Sequence, residues 1–251
     1  MMKLSRWVVN PEYPNIAPLL RTLPERFAAG EGQLIQHVRN ELRRMEWEGQ
    51  TYVVKSFQSH PLNRYIYGRL RPSKAERSYR YALALLQAGV GTPQPVAFAD
   101  FRDGLSLSAS YYVSVLSPCP YVYGEIFQKP FDCEDELMRE VGRFTARLHD
   151  HGFALLDYSR GNLLFSPQPD GHVELEVIDL NRMRLGPIGM NAGCENLKRL
   201  PASPHQHRLI AEAYAAARGF DADTCYRLMR AYRSKQPAKL PQEGFEDEPR
   251  S

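Results

Sequence analysis

From residue 33 the chain runs in short apolar and β-branched stretches, 33–38, 42–47 and 51–57, with Glu48-Gly49-Gln50 between the last two. Stretches of that length, the second and third joined by a glycine turn, predict an antiparallel meander. Pro72-Ser73-Lys74-Ala75-Glu76 then opens a predicted helix whose apolar residues Tyr79, Leu83 and Leu86 share one face; it stops at Gly89, before Pro93 and Pro95. Further strands are predicted at 94–99, 105–108 and 111–116, with Asp103-Gly104 as a turn and Ser117-Pro118 as a hinge. A long amphipathic helix follows from Asp132 to Asp150, with Leu137, Val141, Phe144 and Leu148 on one stripe and Gly152 after its end. A hairpin spans 163–178 around Pro169-Asp170-Gly171. The stretch 186–193 has no periodicity. Two more helices are predicted at 206–218 and 221–235, the second capped by Asp221 with Cys225, Leu228, Met229 and Tyr232 inward. Residues 1–29 are Pro-rich, with a helix start at Thr22-Leu23-Pro24-Glu25, and read as an N-terminal extension; 236–251, rich in Pro, Glu and Gly, read as a disordered tail.

The candidate chemistry lies where apolar runs end in polar residues. Leu155-Leu156 leads into Asp157-Tyr158-Ser159-Arg160-Gly161-Asn162, and Val177-Ile178 ends directly in Asp179. An Asp, an Asn and a second Asp at the mouths of short strands form the layout of a phosphoryl-transfer site. In kinases the first Asp takes the acceptor's proton, while the Asn and second Asp hold metal ions against the phosphates. The same residue types are also ordinary turn formers, so upstream features have to decide. Lys55 lies inside Tyr52-Val53-Val54-Lys55-Ser56-Phe57, a run that would bury its stem and require a partner for its ammonium. A strand lysine in such a context grips phosphates in kinases; a lysine on a solvent-facing edge strand is the alternative. Glu76 has two readings as well: a partner for Lys55, or the acidic member of a Ser73-x-x-Glu76 capping box.

Composition narrows the class. At 251 residues, 43% hydrophobic and 24% charged, the chain is long enough for two lobes and ordinary for a globular protein. Its net charge of +3 argues against a nucleic-acid partner, although aromatic and basic residues interleave in Arg64-Tyr65-Ile66-Tyr67. Basic residues gather at Arg64, Arg69, Arg71, Lys74, Arg77 and Arg80, and again at Lys198, Arg199, His205, His207 and Arg208. Each group is either a solvated face or a site for phosphates and carboxylates. Cys119, Cys133, Cys194 and Cys225 lack zinc-ligand spacing and suggest a reducing, cytoplasmic setting. No run reaches the ~18 apolar residues of a membrane span, so any membrane contact is expected to be peripheral.

Strands, a strand lysine, a helix, more strands, a hinge, a helix, an Asp/Asn loop, a hairpin and a final Asp resemble the protein-kinase-like fold over about residues 30–235. This is α+β: an antiparallel-sheet N-lobe with one main helix (30–117) and a mainly helical C-lobe (118–235). Within it, the chain resembles the bacterial lipopolysaccharide core kinases, the Kdo and heptose kinase family. The residues behind this are Tyr52-Val53-Val54-Lys55, Ala88-Gly89-Val90-Gly91-Thr92-Pro93-Gln94-Pro95, Leu148-His149, Asp157-Tyr158-Ser159-Arg160-Gly161-Asn162 and Ile178-Asp179-Leu180-Asn181. The resemblance implies ATP and Mg²⁺ as cofactors. Lys55, with Glu76, would serve the nucleotide phosphates, Asp157 would be the catalytic base, and Asn162 and Asp179 the metal ligands. It implies a glycolipid acceptor, a Kdo or heptose hydroxyl on lipid A, met at the inner face of the cytoplasmic membrane. The chain departs from the kinase pattern in four places. Arg39-Asn40-Glu41 replaces the glycine-rich loop, leaving backbone or the side chains of Asn40 and Arg39 to cover the phosphates. Leu155 stands where kinases have His, and Asp179-Leu180-Asn181 where they have D-F-G. Ser78 competes with Glu76 for the helix position. The absence of A-P-E favours a small or glycolipid acceptor over a peptide. A kinase acting on protein or another small molecule, and a non-catalytic pseudokinase, are the rival readings.

Overall fold

The computed structural model describes residues 2–37, 40–57 and 71–234, in two units: 1–118 with 176–182, and 119–175 with the residues from 183 onward. The first is organised by a six-stranded antiparallel sheet of β1 (Lys3–Val9), β2 (Gln33–His37), β3 (Asn40–Trp47), β4 (Gln50–Phe57), β5 (Pro95–Asp103) and β6 (Ser106–Val115), in the order β1-β5-β6-β4-β3-β2. The β3–β4 hairpin turns on Glu48 and Gly49 at φ 50° and 78°, a tight turn with both central residues left-handed. The predicted meander at 33–57 is present with its turn in place. The strands expected at 105–108 and 111–116 are one continuous β6, paired with β5 across the Asp103-Gly104 turn.

Strand periodicity sorts this sheet's side chains onto two faces. Tyr52 and Val54 of β4 join Ala97, Ala99, Phe101, Tyr111 and Val113 in one cluster, closed by Leu19, Leu20 and Leu23 of α1 (Ala17–Ala28). Phe57 and Phe98 face the other way, against Ala75 and Tyr79 of α2 (Lys74–Gln87). Lys55 shares the parity of Phe57 and therefore emerges on the α2 face.

Residues 1–29, set apart by the sequence pattern, contribute β1 as the sheet's edge strand beside β5 and α1 as the cover of one face. The helix begins at Ala17, upstream of the predicted start, and carries Pro24 in its interior. An interior proline costs about 3 kcal/mol, but three fully buried leucines contribute roughly 1.5–3 kcal/mol each, and burial wins. On α2 the buried residues are Ala75, Glu76, Ser78, Tyr79, Ala82 and Leu85, so the buried face is rotated from the predicted Leu83 and Leu86 because small residues let the helix lie close to the sheet.

The second unit is built on helices α3 (Glu134–Asp150), α4 (Met190–Leu197), α5 (Pro204–Arg218) and α6 (Ala222–Ser234). Its strands are β7 (Tyr121–Val122), β8 (Phe153–Leu155), β9 (Leu163–Pro167), β10 (Val173–Val177, whose last two residues fall to the first unit) and β11 (Met183–Leu185). β9 lies between β7 and β10, and β8 pairs with β11. The predicted stripe Leu137, Val141, Phe144 and Leu148 is buried. α3 crosses α5 at Gly142, where a β-carbon would come 2.5 Å from the Ile210 carbonyl oxygen. β11 ends at Leu185, just before the stretch read as irregular (186–193), and the first turn of α4 occupies that stretch's second half. α4 has only eight residues, with Gly193 among them, and is held by burial of Cys194 and Leu197. The predicted tail at 236–251 lies outside the described residues.

Candidate active site

The segment bearing Asp179 is stitched to the first unit by the loop between α2 and β5. Val177 N–H donates to Gly91 O at 2.9 Å, and Thr92 Oγ1 donates to Val177 O at 2.7 Å. Ser117 Oγ adds a bond to Glu176 Oε2 at 2.5 Å. Beyond this clamp Asp179 adopts φ 61°, the left-handed region that a short polar side chain tolerates best among non-glycines, and such outliers cluster at functional sites. Its Oδ1 pairs with Lys55 Nζ at 2.6 Å and accepts a bond from Asn181 Nδ2. The expected burial of a partnered lysine on the third meander strand is therefore met, and the partner is Asp179.

Glu76 is not that partner. Its carboxylate is fully buried, and Arg6 of β1 and Arg80 of α2 approach Oε1 at 2.9 and 2.7 Å as charge pairs. Its backbone N–H donates to Ser73 Oγ at 3.0 Å, the Ser73 half of the capping box. The expected pairing of Glu76 with Lys55 is thereby corrected: the first turn of α2 is fixed by its cap, and β1 supplies an arginine that the sequence pattern did not place. Beneath the same turn, buried Asp100 accepts a bond from Ser110 Oγ at 2.7 Å, and burial raises its carboxyl above the usual range. Asn40 opens β3 opposite Phe57 with its Oδ1 buried and unpartnered among the described residues. Arg39, Arg64 and Arg69 lie outside them.

In the second unit, Asp157 and Asn162 bracket one closed loop. Asn162 Nδ2 donates to Asp157 O at 2.9 Å, and Asn162 N–H to Ser159 O at 3.0 Å. Between them Tyr158 is buried and donates to Thr145 Oγ1 at 2.9 Å, since that hydroxyl already donates to Val141 O. Upstream, Leu155 O accepts from Asn196 Nδ2 at 2.7 Å, leaving Asn196 Oδ1 to accept from His149 Nε2 at 3.1 Å. That fixes the tautomer: His149 Nδ1 accepts from Tyr214 OH at 2.9 Å, which in turn accepts from Arg218 NH1 at 2.9 Å. The chain Arg218, Tyr214, His149, Asn196, Leu155 thus runs donor to acceptor without interruption and requires neutral His149. Burial agrees, pushing its imidazolium down to about 4. Gly193 is needed beside it, because the Tyr214 hydroxyl lies where a β-carbon would stand.

The second basic group does not form an open phosphate site. Lys198 pairs with Glu195, His205 with Asp135, and Arg208 with Asp223. His207 is buried, its imidazolium pushed down to about 4. Among the described residues no cluster of three His, Cys, Asp or Glu could hold a metal by itself. Asp179 and Asn162 each bring a hard oxygen, the donor chemistry magnesium takes alongside phosphate oxygens and water. Among the described residues no helix is long and apolar enough to cross a membrane.

A family model described as the lipopolysaccharide kinase (Kdo/WaaP) family matches residues 28–232. Among solved structures, WaaP in complex with acyl carrier protein is 20% identical with a TM-score of 0.63, covering 92% of this chain and 99% of that one. WbdD with the kinase inhibitor LY294002 is 18% identical at a TM-score of 0.46, covering 81% of this chain and 45% of that one. None of the curated proteins matches the sequence. The likeness to WaaP bears out the predicted kinase-like α+β fold.

Proposed function

The chain belongs to the lipopolysaccharide kinase (Kdo/WaaP) family, and from that premise we propose that it transfers a phosphoryl group from ATP to a sugar hydroxyl, of Kdo or heptose, in the inner core of lipopolysaccharide. The observation that carries this reading is the 2.6 Å pair between a strand lysine, Lys55, and Asp179 in a left-handed backbone conformation. Transfer of a phosphoryl group asks little covalent chemistry of the protein; it needs positioning and stabilisation of charge. Lys55 neutralises charge on the phosphates. Asp157, held by the Asn162 bond to its carbonyl and by the Asn196 anchor on Leu155, orients the acceptor hydroxyl and accepts its proton. Asp179 and the amide oxygen of Asn162 are the magnesium ligands; the ion, when bound, offsets charge on the phosphate oxygens. With a lipid-linked acceptor, the protein works at the inner face of the cytoplasmic membrane through peripheral contact.

The test is transfer of radiolabel from γ-labelled ATP to Kdo–lipid A and to a heptosylated acceptor. Labelled glycolipid is expected from the native protein, reduced about a hundredfold or more in Asp157→Ala with the fold intact. Label reaching peptide but neither glycolipid would replace the acceptor class. Nucleotide binding with no transfer to any acceptor would mark a non-catalytic binding module.

A further inference from the structure

The sheet of the first unit carries, on the face opposite Lys55, a cavity that phosphoryl transfer does not use. It lies where the chain leaves β1 and where the β3–β4 hairpin turns, and Glu12, Tyr13, Trp47, Glu48, Gln50 and Tyr52 are among its lining residues, around a volume of about 140 Å³. Tyr13, Trp47 and Tyr52 pack on the cluster covered by α1, whereas Phe57, whose parity Lys55 shares, packs on α2. The walls are fixed by their own hydrogen bonds. Asn10 ties the loop to β5, its N–H donating to Val96 O at 2.8 Å and its Nδ2 to Pro95 O at 2.9 Å, and it accepts from the N–H groups of Tyr13 at 2.9 Å and Glu12 at 3.1 Å. Trp47 Nε1 joins hairpin to loop by donating to Asn15 O at 3.1 Å, and the Tyr52 hydroxyl donates to Gln50 Oε1 at 3.1 Å. Tyr13 and Tyr52 meet edge to face with ring centres 6.4 Å apart.

Charge, shape and strain together say what fills this space. Aromatic faces attract cations, and Trp47 already holds the Arg26 guanidinium 5.2 Å from its ring centre. The charged residues of the lining are both glutamates, with no Lys, Arg or His beside them. Glu12 Oε2 accepts from a neutral amide, Gln94 Nε2 at 3.0 Å, and Glu48 has no cationic partner among the described residues. Glu48 also stands at φ 50° in the first central position of its turn, where Asn or Gly is preferred. A strained residue of this kind points to a use for its side chain. A cavity of about 150 Å³ accommodates one benzene-sized molecule, so this one takes a short chain and excludes a nucleotide.

We propose that this cavity binds a primary alkylammonium group, with its methylenes against Tyr13, Trp47 and Tyr52 and its charge answered by Glu12 and Glu48. A free diamine and a lysine side chain of another protein both present that group.

Of the two tryptophans, Trp7 is removed by Trp7→Phe, which leaves Trp47 as the only indole and lets fluorescence read the cavity directly. Full-length Trp7→Phe protein is titrated at constant ionic strength with n-butylammonium, its neutral isostere 1-butanol, 1,4-diaminobutane and Nα-acetyl-lysine amide. Saturable binding of butylammonium is expected, about tenfold or more tighter than that of butanol. Tighter binding of the diamine assigns the site to free amines, and tighter binding of acetyl-lysine amide assigns it to a protein's lysine; both support it. Glu48→Asn, added to that protein, creates the favoured Asn-Gly turn and is expected to raise Tm while weakening butylammonium about three- to tenfold, with a further loss in Glu12→Gln/Glu48→Asn. No saturable signal, equal affinity for butylammonium and butanol, or undiminished affinity in the double variant would overturn the proposal. Weakened binding with a lowered Tm in Glu48→Asn would overturn it too, making Glu48 a structural residue. The kinase reading stands apart from each result, because Lys55 lies on the other face of the sheet.

Discussion

Asp157 and Asp179 are both carboxylates at strand mouths, yet opposite means hold them. Asp179 is held by charge: Lys55 on one oxygen, with Asn181 donating to the same atom and a left-handed backbone beneath it. The Asp157 loop rests on neutral groups, with Tyr158 on Thr145 and Leu155 on a relay of Asn196, His149 and Tyr214. The base proposed at Asp157 is backed by a neutral relay whose far end is the Arg218 guanidinium. The metal ligand proposed at Asp179 is backed instead by a charged partner, Lys55. Stability of the two surroundings should therefore respond to different perturbations.

Acid separates them most. His149 and His207, both in the second unit, are held neutral with folded values of about 4, below the unfolded histidine value of ~6.5. The unfolded chain binds more protons between those values, so this stability is fully present above about pH 6.5 and is lost as pH falls toward 4, by up to about 1.4 kcal/mol per pH unit for each histidine. Asp100 in the first unit has the opposite sign: its raised pKa means the folded state gains protons first, so acid relieves it. Both tryptophans, Trp7 and Trp47, belong to the first unit, so indole fluorescence follows that unit alone. Helical circular dichroism is expected to fall on acidification at a higher pH than the fluorescence changes. Coincident transitions would break the contrast.

Asn196→Ala is expected to act next most strongly. It leaves Leu155 O and the His149 Nε2–H without partners, at ~1–3 kcal/mol for each orphaned group. Denaturant unfolding should show the loss, and turnover should drop while ATP affinity stays native; weakened ATP binding would show that the neutral relay also serves the nucleotide. The smallest effect is expected from Glu76→Gln. Its arginine partners are half-exposed, so the change in stability should stay within about 1 kcal/mol and ATP affinity within about twofold. Lys55→Met should by contrast abolish ATP binding. If Glu76→Gln did the same, Glu76 would be the lysine's working partner after all.

These contrasts follow where the sequence was readable. Lys55 stood out because an ammonium inside a β-branched run needs a partner, and Asp157, Asn162 and Asp179 because apolar strands ended in them. Their identity was local; their partners were not. Asn196 lies in a short helix containing a glycine, with no apolar period to announce it. Arg6 belongs to a strand whose hydrophobic pattern is weak and whose existence depends on pairing with β5, so the diversion of Glu76 could not be seen before the sheet was assembled. Thr92 stands in a loop just before Pro93 and Pro95, and only the fold reveals it as the clamp on Val177.

The most direct measurement is calorimetric binding of ATP with and without Mg²⁺ to the native protein, Asp179→Ala and Asp157→Ala. Metal-dependent binding is expected in the native protein, lost in Asp179→Ala and retained in Asp157→Ala, which divides nucleotide and metal binding from proton transfer. Metal-independent binding, or native-like binding by Asp179→Ala, would contradict that division.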